Sequence, residues 1–148
     1  MKLNWDCIRD VMFCVEEHTD LRNSCTFTDT VSAEDSLRFL GEDPEPVPDY
    51  QVELSNKYGL DVLLYHVRYC IRSELLIPAH DNPSYQYEIM DLTPAGHEFL
   101  ANIRENSNWN HLKSAAAKVG VFSLNSFVQL GAGILQAAIQ KNLGLIGA

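Results

Sequence analysis

Residues 92–104 read Leu-Thr-Pro-Ala-Gly-His-Glu-Phe-Leu-Ala-Asn-Ile-Arg, and this stretch decides which fold the chain is predicted to adopt. Thr93 can cap a helix with its hydroxyl, and Pro94 then stands at the first helical position, where a backbone N–H is not needed. An apolar stripe at helical spacing follows, made of Phe99, Leu100 and Ile103. We therefore predict a helix that begins at Pro94 and buries this stripe.

Two short strands and a longer helix precede this stretch. Residues 75–79 and 85–90 are predicted strands, and the turn-forming sequence His-Asp-Asn-Pro-Ser at 80–84 separates them. A helix is predicted from Gly59 to about Leu75, where apolar residues recur at helical spacing. A helix, a two-stranded wing and a second helix predict a winged helix-turn-helix. We thus expect an α+β fold that is mostly α and carries additional C-terminal helices.

The rest of the chain is predicted from periodicity and from turn-forming residues. Residues 42–49 read Glu-Asp-Pro-Glu-Pro-Val-Pro-Asp, and three prolines with four acids predict an extended, acidic surface loop. Ser32 is expected to cap the short helix that follows it. The other predicted elements are helices over 4–18, 33–40, 109–119 and 124–143 and short strands over 24–31 and 50–54. We expect a winged-helix domain over residues 1–106 and, over residues 107–148, a helical appendage that packs on this domain or serves dimerisation.

The net charge of −9 is unevenly distributed along the 148 residues. Residues 1–58 hold 13 acidic and 5 basic side chains, a balance of −8, and residues 59–106 hold 7 and 3, a balance of −4. Residues 107–148 hold three lysines and no acid, a balance of +3. Because phosphate neutralisation supplies most non-specific DNA affinity, this acidity disfavours DNA binding unless a local basic patch overrides it. Solubility alone also explains the acidity.

The helix from Gly59 to about Leu75 has two different sides. The apolar side, which we expect to face the core, consists of Leu60, Leu63, Leu64, Val67, Cys70 and Ile71. The other side would be the recognition face of a winged helix, and its candidate partner-binding residues are Tyr65, His66, Arg68, Tyr69 and Arg72. Tyrosine and arginine are enriched at the energetic centres of protein interfaces, so this side suits a protein partner better than DNA. Alternatively, the two tyrosines cover a neighbouring element of the same chain.

The final predicted helix carries no charged side chain between residues 124 and 140. Ser123 can cap it, and a helix this poor in charge usually buries more than one side. It would pack across a homodimer or against the winged-helix body, and its candidate oligomer-forming residues are Phe127, Ile134, Leu135 and Ala138. Residues 119–139 are long enough to cross a bilayer, but their polar residues and one-sided apolar groups lead us to expect no membrane association.

The four cysteines, Cys7, Cys14, Cys25 and Cys70, occur without close pairs, and no signal peptide is recognised. Reduced thiols in a cytosol are therefore expected. Cys14 and His18 could share a metal ion with Cys7 and Cys25, but zinc sites usually show closer ligand pairs, so buried structural thiols are favoured. The sequence has no phosphate-binding loop and no paired nucleophile and base. We predict no catalytic residue, no metal and no cofactor, and therefore no enzyme.

Four segments carry a resemblance to a known family. They are the opening Met1-Lys-Leu-Asn-Trp-Asp-Cys-Ile-Arg-Asp10, the step Tyr65-His-Val67, residues 92–104 followed by Trp109, and the closing Lys141-Asn-Leu-Gly-Leu145. The chain resembles a family of uncharacterised bacterial and bacteriophage proteins, with Gly-His-Glu-Phe-Leu at 96–100 as the most specific motif. The resemblance implies a winged-helix-like fold and a phage or prophage setting. It implies no activity, because fold does not carry function. The acidic residues 42–49 depart from the family pattern.

Three functions follow as hypotheses. The leading one is non-catalytic: a winged-helix protein that binds a host or phage protein in phage–host regulation, for example to inhibit a host factor or a defence system. The runner-up is a DNA-binding transcriptional regulator, in which a dimer would place two recognition helices on DNA. An enzyme or metalloprotein comes third and rests on Cys14, His18 and Cys25 alone.

Overall fold

The computed structural model describes residues 1–81, 83 and 85–146, with side chains described as far as Leu143. Seven helices and three short strands make up this part of the chain, which is an α+β fold and mostly helical. The helices are α1 (Trp5–His18), α2 (Thr30–Leu40), α3 (Asp49–Tyr58), α4 (Leu60–Arg72), α5 (Pro94–Ile103), α6 (Asn106–Val119) and α7 (Leu124–Ile146). The strands are β1 (Cys25–Thr28), β2 (Leu76–Pro78) and β3 (Gln86–Leu92).

The three strands form one antiparallel sheet in the order β1-β3-β2. The central strand is β3, since Cys25 of β1 pairs with Ile89 and Leu76 of β2 pairs with Leu92. The register shifts within β2, so the β2–β3 hairpin is irregular there. The predicted hairpin of β2 and β3 is therefore present. The additional strand, β1, pairs with the other edge of β3. Residues 82 and 84 of the predicted turn lie outside the described residues.

The apolar side of α1 lies against α4, α5 and β3, at the centre of the molecule. Asn4 caps this helix, because its side chain accepts a hydrogen bond from the Cys7 N–H at 3.1 Å. Apolar residues at helical spacing form this side, and four of them, Ile8, Val11, Met12 and Val15, are fully buried. The helical spacing of these apolar residues thus indicates both the helix and its buried side.

The start of α5 confirms the predicted cap. Thr93 Oγ1 accepts a hydrogen bond from the Gly96 N–H at 2.9 Å, and Pro94 occupies the first helical position. Thr93 also ties α5 to the segment after α4, because its hydroxyl donates to the Glu74 carbonyl at 2.6 Å and its N–H donates to the Leu75 carbonyl at 3.0 Å. The buried residues of α5 include the predicted stripe of Phe99, Leu100 and Ile103.

The predicted strand over residues 50–54 is wrong, because these residues belong to α3. Tyr50, Leu54 and Tyr58 recur every four residues and are half-buried, whereas Val52 is 44% exposed. A strand would place Val52 on the same buried face as Tyr50 and Leu54. The helical period therefore describes this segment better than the apolar alternation did.

The start of α2 also differs from the prediction, since the helix begins at Thr30 instead of residue 33. Its N-cap is Asp29 and not Ser32. The Asp29 carboxylate accepts the Ser32 N–H at 3.2 Å and the Ser32 hydroxyl at 2.9 Å. A carboxylate is among the best N-caps, which explains why the helix begins one turn earlier.

Two side chains of α3 close the outer edge of β1. The Tyr50 hydroxyl donates to the Thr26 carbonyl at 2.8 Å and accepts the Thr26 N–H at 2.7 Å. The Gln51 amide accepts the Thr28 N–H at 2.7 Å and donates to the Thr28 carbonyl at 2.7 Å. The backbone groups on an unpaired strand edge can bind a further strand. Here α3 provides hydrogen-bond partners for the backbone of β1, where a fourth strand would otherwise bind.

The C-terminal helices join the core through Phe127 of α7. Its ring stacks on Trp5 with centroids 4.0 Å apart and meets Trp109 and Phe99 edge-on at 5.6 and 6.2 Å. Trp109 belongs to α6 and is 3% exposed. This aromatic cluster thus combines residues from both sides of position 106. The division of the chain into two units at that position stays a prediction.

Candidate partner-binding cleft

One side of α4 presents aromatic and basic side chains to the surface. The opposite side is buried and includes Leu63, Leu64, Val67 and Cys70. Tyr65, Arg68, Tyr69 and Arg72 stand at positions i, i+3, i+4 and i+7, so they share one stripe of the helix. These four residues are named the α4 face. Their tyrosine rings are half-buried with centroids 6.1 Å apart, and both arginines are exposed.

A cleft of about 340 Å³ lies between the C-terminal half of α4 and the β2–β3 hairpin. The helix contributes Arg68, Ile71 and Arg72 to its walls. The hairpin contributes Pro78, His80, Asp81, Pro83, Gln86, Tyr87 and Glu88. Half of the α4 face therefore belongs to a concave site, which is the shape that receives a side chain or a short segment of another molecule.

The charges of the cleft are divided between its two walls. Arg68 and Arg72 lie on the helix wall, and no ion pair to either is present in the described part of the chain. On the hairpin wall, His80 Nε2 lies 3.7 Å from Glu88 Oε2, and Ser24 Oγ donates to Glu88 Oε1 at 2.9 Å. Glu88 is thus held by its own neighbours, which leaves the guanidinium groups to bind a ligand carboxylate or phosphate.

The structure corrects the placement of His66, which the sequence assigned to the outer side of α4. Its side chain is fully buried. Nε2 accepts the Asn4 N–H at 2.8 Å, and Nδ1 lies 2.7 Å from the Val62 carbonyl, so Nδ1 carries the proton. Burial lowers the pKa of His66, outweighing the opposite effect of the Val62 carbonyl. His66 is therefore a neutral link between α1 and α4 and does not belong to the α4 face.

The four candidate oligomer-forming residues of α7 fall into different environments. Phe127 lies in the aromatic cluster of its own chain, Ile134 and Leu135 are half-buried, and Ala138 is exposed. Ser123 caps the helix as predicted, since its hydroxyl accepts the Ser126 N–H at 3.2 Å. Among residues 1–81, 83 and 85–146, no helix is both long and apolar enough to cross a membrane.

The four cysteines, all of them among the described residues, are buried and form no disulfide, and the side chains of Cys14 and Cys25 are hydrogen-bonded neighbours. Cys14 Sγ lies 3.8 Å from His18 Nδ1, but this nitrogen is also 2.8 Å from the Cys14 carbonyl. Burial raises the pKa of the Cys7 thiol to about 12 and also raises the pKa of Cys70. Thiolates are the form that binds metal, so the surroundings of Cys7 and Cys70 favour the protonated side chain instead, whereas the hydrogen bond with Cys14 lowers the pKa of Cys25. No cluster of metal-binding residues occurs in the described parts of the chain.

Sequence reasoning missed the hairpin wall of the cleft. Tyr87, Glu88 and Asp81 reach the α4 face only because the hairpin folds back beside α4. The one signal in the sequence was an aromatic residue, Tyr87, between two polar residues of the predicted strand. Such alternation is typical of a half-buried strand, but it does not indicate which helix lies opposite.

One comparison with known proteins gives a match. A family model described as a hypothetical protein family (DUF2513) matches residues 2–122, from α1 to the turn before α7. The chain belongs to this family. The region that DUF2513 covers includes the whole α4 face, the hairpin and residues 92–104. No curated protein and no solved structure matches the chain.

Proposed function

We propose that this DUF2513 protein is a winged-helix protein that acts without catalysis, by binding a protein partner through the α4 face and the adjoining cleft. The observation that carries this proposal is the cleft itself. Its helix wall carries two exposed arginines, which share one stripe of α4 with a pair of half-buried tyrosines, and its hairpin wall is partly apolar. Tyrosine and arginine are the residue types that most often dominate the binding energy of protein interfaces.

The order of the elements supports the winged-helix assignment. The chain runs α1-β1-α2-α3-α4-β2-β3, with β1 and β2 on the two sides of β3. In this assignment α4 is the recognition helix and the β2–β3 hairpin is the wing. The α4 face then occupies the position where such proteins contact their targets.

The charge distribution supports a protein rather than a nucleic acid as the target. Residues 1–58 and 59–106 carry −8 and −4, together −12, and the cleft itself contains Asp81 and Glu88 beside its two arginines. A protein that binds DNA gains most of its affinity by neutralising phosphates, which this surface does poorly. A protein partner needs only a few well-placed contacts in a concave site.

The proposed setting is phage–host regulation in the bacterial cytoplasm. It is supported by the resemblance to bacterial and bacteriophage proteins. The partner would be a host or phage protein, and binding would modulate or inhibit it.

Affinity capture with matched variants tests the proposal. The immobilised chain is exposed to bacterial lysate, and bound proteins are quantified by mass spectrometry for wild type, Arg68→Glu/Arg72→Glu and Tyr65→Ala/Tyr69→Ala. The control is Lys2→Glu/Lys118→Glu, which makes the same charge change at exposed positions outside the α4 face. We expect a specific protein to be retained by wild type and control and lost with both face variants. Equal capture by all four forms would contradict the proposal.

A DNA-binding regulator is the second candidate, and the position of α4 as a recognition helix favours it. Fluorescence anisotropy with labelled duplex DNA over a series of salt concentrations distinguishes the two. A phosphate-contacting protein gains affinity steeply as salt falls. Absence of DNA binding at the lowest salt would exclude this candidate. If the wild type binds DNA and the Arg68→Glu/Arg72→Glu variant does not, a DNA-binding regulator is favoured over a protein-binding one.

A further inference from the structure

The second half of α7 extends beyond the body of the protein. At 23 residues the helix is about 35 Å long, from its rise per residue. Leu124 and Phe127 in its first turns are fully buried, and at Gly131 an added Cβ would lie 3.1 Å from Leu112. Ile134 still packs against the core, and residues 136–143 are exposed.

The apolar stripe of α7 continues after the body has ended. Leu135, Ile139 and Leu143 follow at steps of four residues on the side that carries Leu124. Exposure rises along the stripe, from a half-buried Leu135 to 50% at Ile139 and 62% at Leu143. We name these three residues the α7 overhang. The first part of this stripe packs against the body of the protein. The last part is an exposed apolar surface, of the kind that binds a partner.

A second unpartnered surface lies on α2. Only Ala33 of this helix is buried, and Val31, Asp35 and Phe39 repeat at steps of four residues along its outer side. Val31 is 62% exposed and Phe39 is 92% exposed. Leu40 at the end of the helix is 66% exposed. We name Phe39 and Leu40, which are adjacent at the end of the helix, the α2 patch.

The surroundings of the α2 patch are strongly acidic. Its one basic neighbour on the helix, Arg38, is paired with Glu34 at 3.3 Å. The acids of α2 and the following loop are Glu34, Asp35, Glu42, Asp43, Glu45 and Asp49. A partner for this patch must therefore offer apolar side chains without negative charge, because like charges at an interface oppose binding.

The α7 overhang has the complementary properties. Residues 107–148 carry +3 and no acid, whereas residues 1–106 carry −12. Lys141, on the opposite side of α7 from Ile139 and Leu143, is the one charged residue between positions 124 and 143 of the sequence. Two copies of the chain repel each other through their acidic bodies, and α7 of one copy is the segment that can approach the body of another without this repulsion.

We propose that the chain self-associates by placing the α7 overhang of one copy on the α2 patch of a second copy. A twofold axis makes this contact occur twice, once in each direction, and so covers both surfaces in both copies. Pairing one overhang with the other would bury only three large apolar residues from each copy and would leave the α2 patch exposed. Within one chain the two surfaces do not cover each other, because Phe39 and Ile139 are both exposed.

Sedimentation equilibrium of the full chain over a wide concentration range tests the proposal. We expect a monomer–dimer equilibrium for wild type. Phe39→Glu in the patch and Ile139→Glu in the overhang should each weaken association by at least about tenfold, since a charge would replace a central apolar contact. The control is Met90→Glu, which changes another large apolar residue, 44% exposed, on the sheet and should leave the equilibrium unchanged. Thermal unfolding of each variant establishes that it is folded.

Mixing the two variants identifies which surfaces meet. A Phe39→Glu chain retains an intact overhang, and an Ile139→Glu chain retains an intact patch, so the mixture can form one of the two contacts. We expect the mixture to associate more strongly than either variant alone. If Ile139→Glu dissociates the dimer and Phe39→Glu does not, the overhangs pair with each other and the proposal is overturned. A monomeric wild type throughout the range also overturns it.

Discussion

Gly96 illustrates how a single residue in the predicted helix start depends on tertiary contact. An added Cβ at this position would lie 2.2 Å from the Leu75 carbonyl oxygen, which is backbone and cannot rotate away. The same carbonyl accepts the Thr93 N–H, so the first turn of α5 is held directly against the segment after α4. This close approach explains why glycine opens the Gly-His-Glu-Phe-Leu motif.

Gly96→Ala should therefore destabilise the protein by at least about 2 kcal/mol, because the clash forces the α5 backbone away from Leu75. The measurement is urea unfolding followed by circular dichroism. Gly133→Ala is the matched control: it lies in α7 with no atom near its Cβ position, and alanine favours a helix by about 1 kcal/mol over glycine. Similar stability for the two variants would show that Leu75 does not constrain Gly96.

His66 predicts a specific loss of stability in mild acid. Its folded pKa lies below the unfolded value, since burial disfavours the charged ring and Nε2 must stay unprotonated to accept the Asn4 N–H. The unfolded chain thus binds the proton first as pH falls. The contribution of neutral His66 is complete above the unfolded pKa of about 6.5 and is lost as pH decreases from there towards the folded pKa.

Unfolding free energies measured between neutral pH and the onset of carboxylate protonation test this. His66→Gln keeps a donor and an acceptor without a titrating group, so its stability should vary less with pH than that of wild type. His97→Gln is the control, because His97 is 53% exposed and lies 3.4 Å from Asp91 at the surface. An unchanged pH dependence in His66→Gln would refute the assignment.

At the scale of elements, side chains of α3 provide hydrogen-bond partners for the edge strand β1. Gln51 is 2% exposed and satisfies both backbone groups of Thr28. Gln51→Leu would leave a buried N–H and carbonyl without partners, at about 1–3 kcal/mol for each group. We expect lower urea stability and faster hydrogen exchange at the Thr28 amide. Asn56→Ala, an exposed position on the same helix, should change neither quantity.

The same helix explains why one element was predicted incorrectly. Tyr50, Val52 and Leu54 alternate with polar residues, and Tyr50, Leu54 and Tyr58 also fit a helix. The two periods cannot be separated over so few residues. Burial decides between them, and burial depends on the Thr26 and Thr28 edge that Tyr50 and Gln51 contact.

At the scale of the whole molecule, Phe127 connects α7 to helices at both ends of the chain. Phe127→Ala removes the ring that stacks on Trp5 and contacts Trp109, and it should cost about 3–5 kcal/mol. Phe122→Ala is the control, since Phe122 is 82% exposed. If residues 107–148 share the core, thermal unfolding of wild type followed by tryptophan fluorescence and by circular dichroism should give coincident transitions. Two separate transitions would support an independent C-terminal unit.

The sequence by itself determined the features that consecutive residues control. Thr93 and Pro94 set the start of α5, and the apolar stripes of α1 and α5 set their buried sides. Caps and helical periods act over one or two turns, so they can be recognised without knowing the rest of the molecule.

Only the tertiary structure decided which surfaces meet. His66 lies on the polar side of its helix in sequence, yet the start of α1 covers it. The cleft exists because the hairpin folds beside Arg68 and Arg72, and α7 is covered over only its first turns. Each of these outcomes depends on contacts between residues far apart in the chain, and a pattern read along the chain contains no distance between such residues.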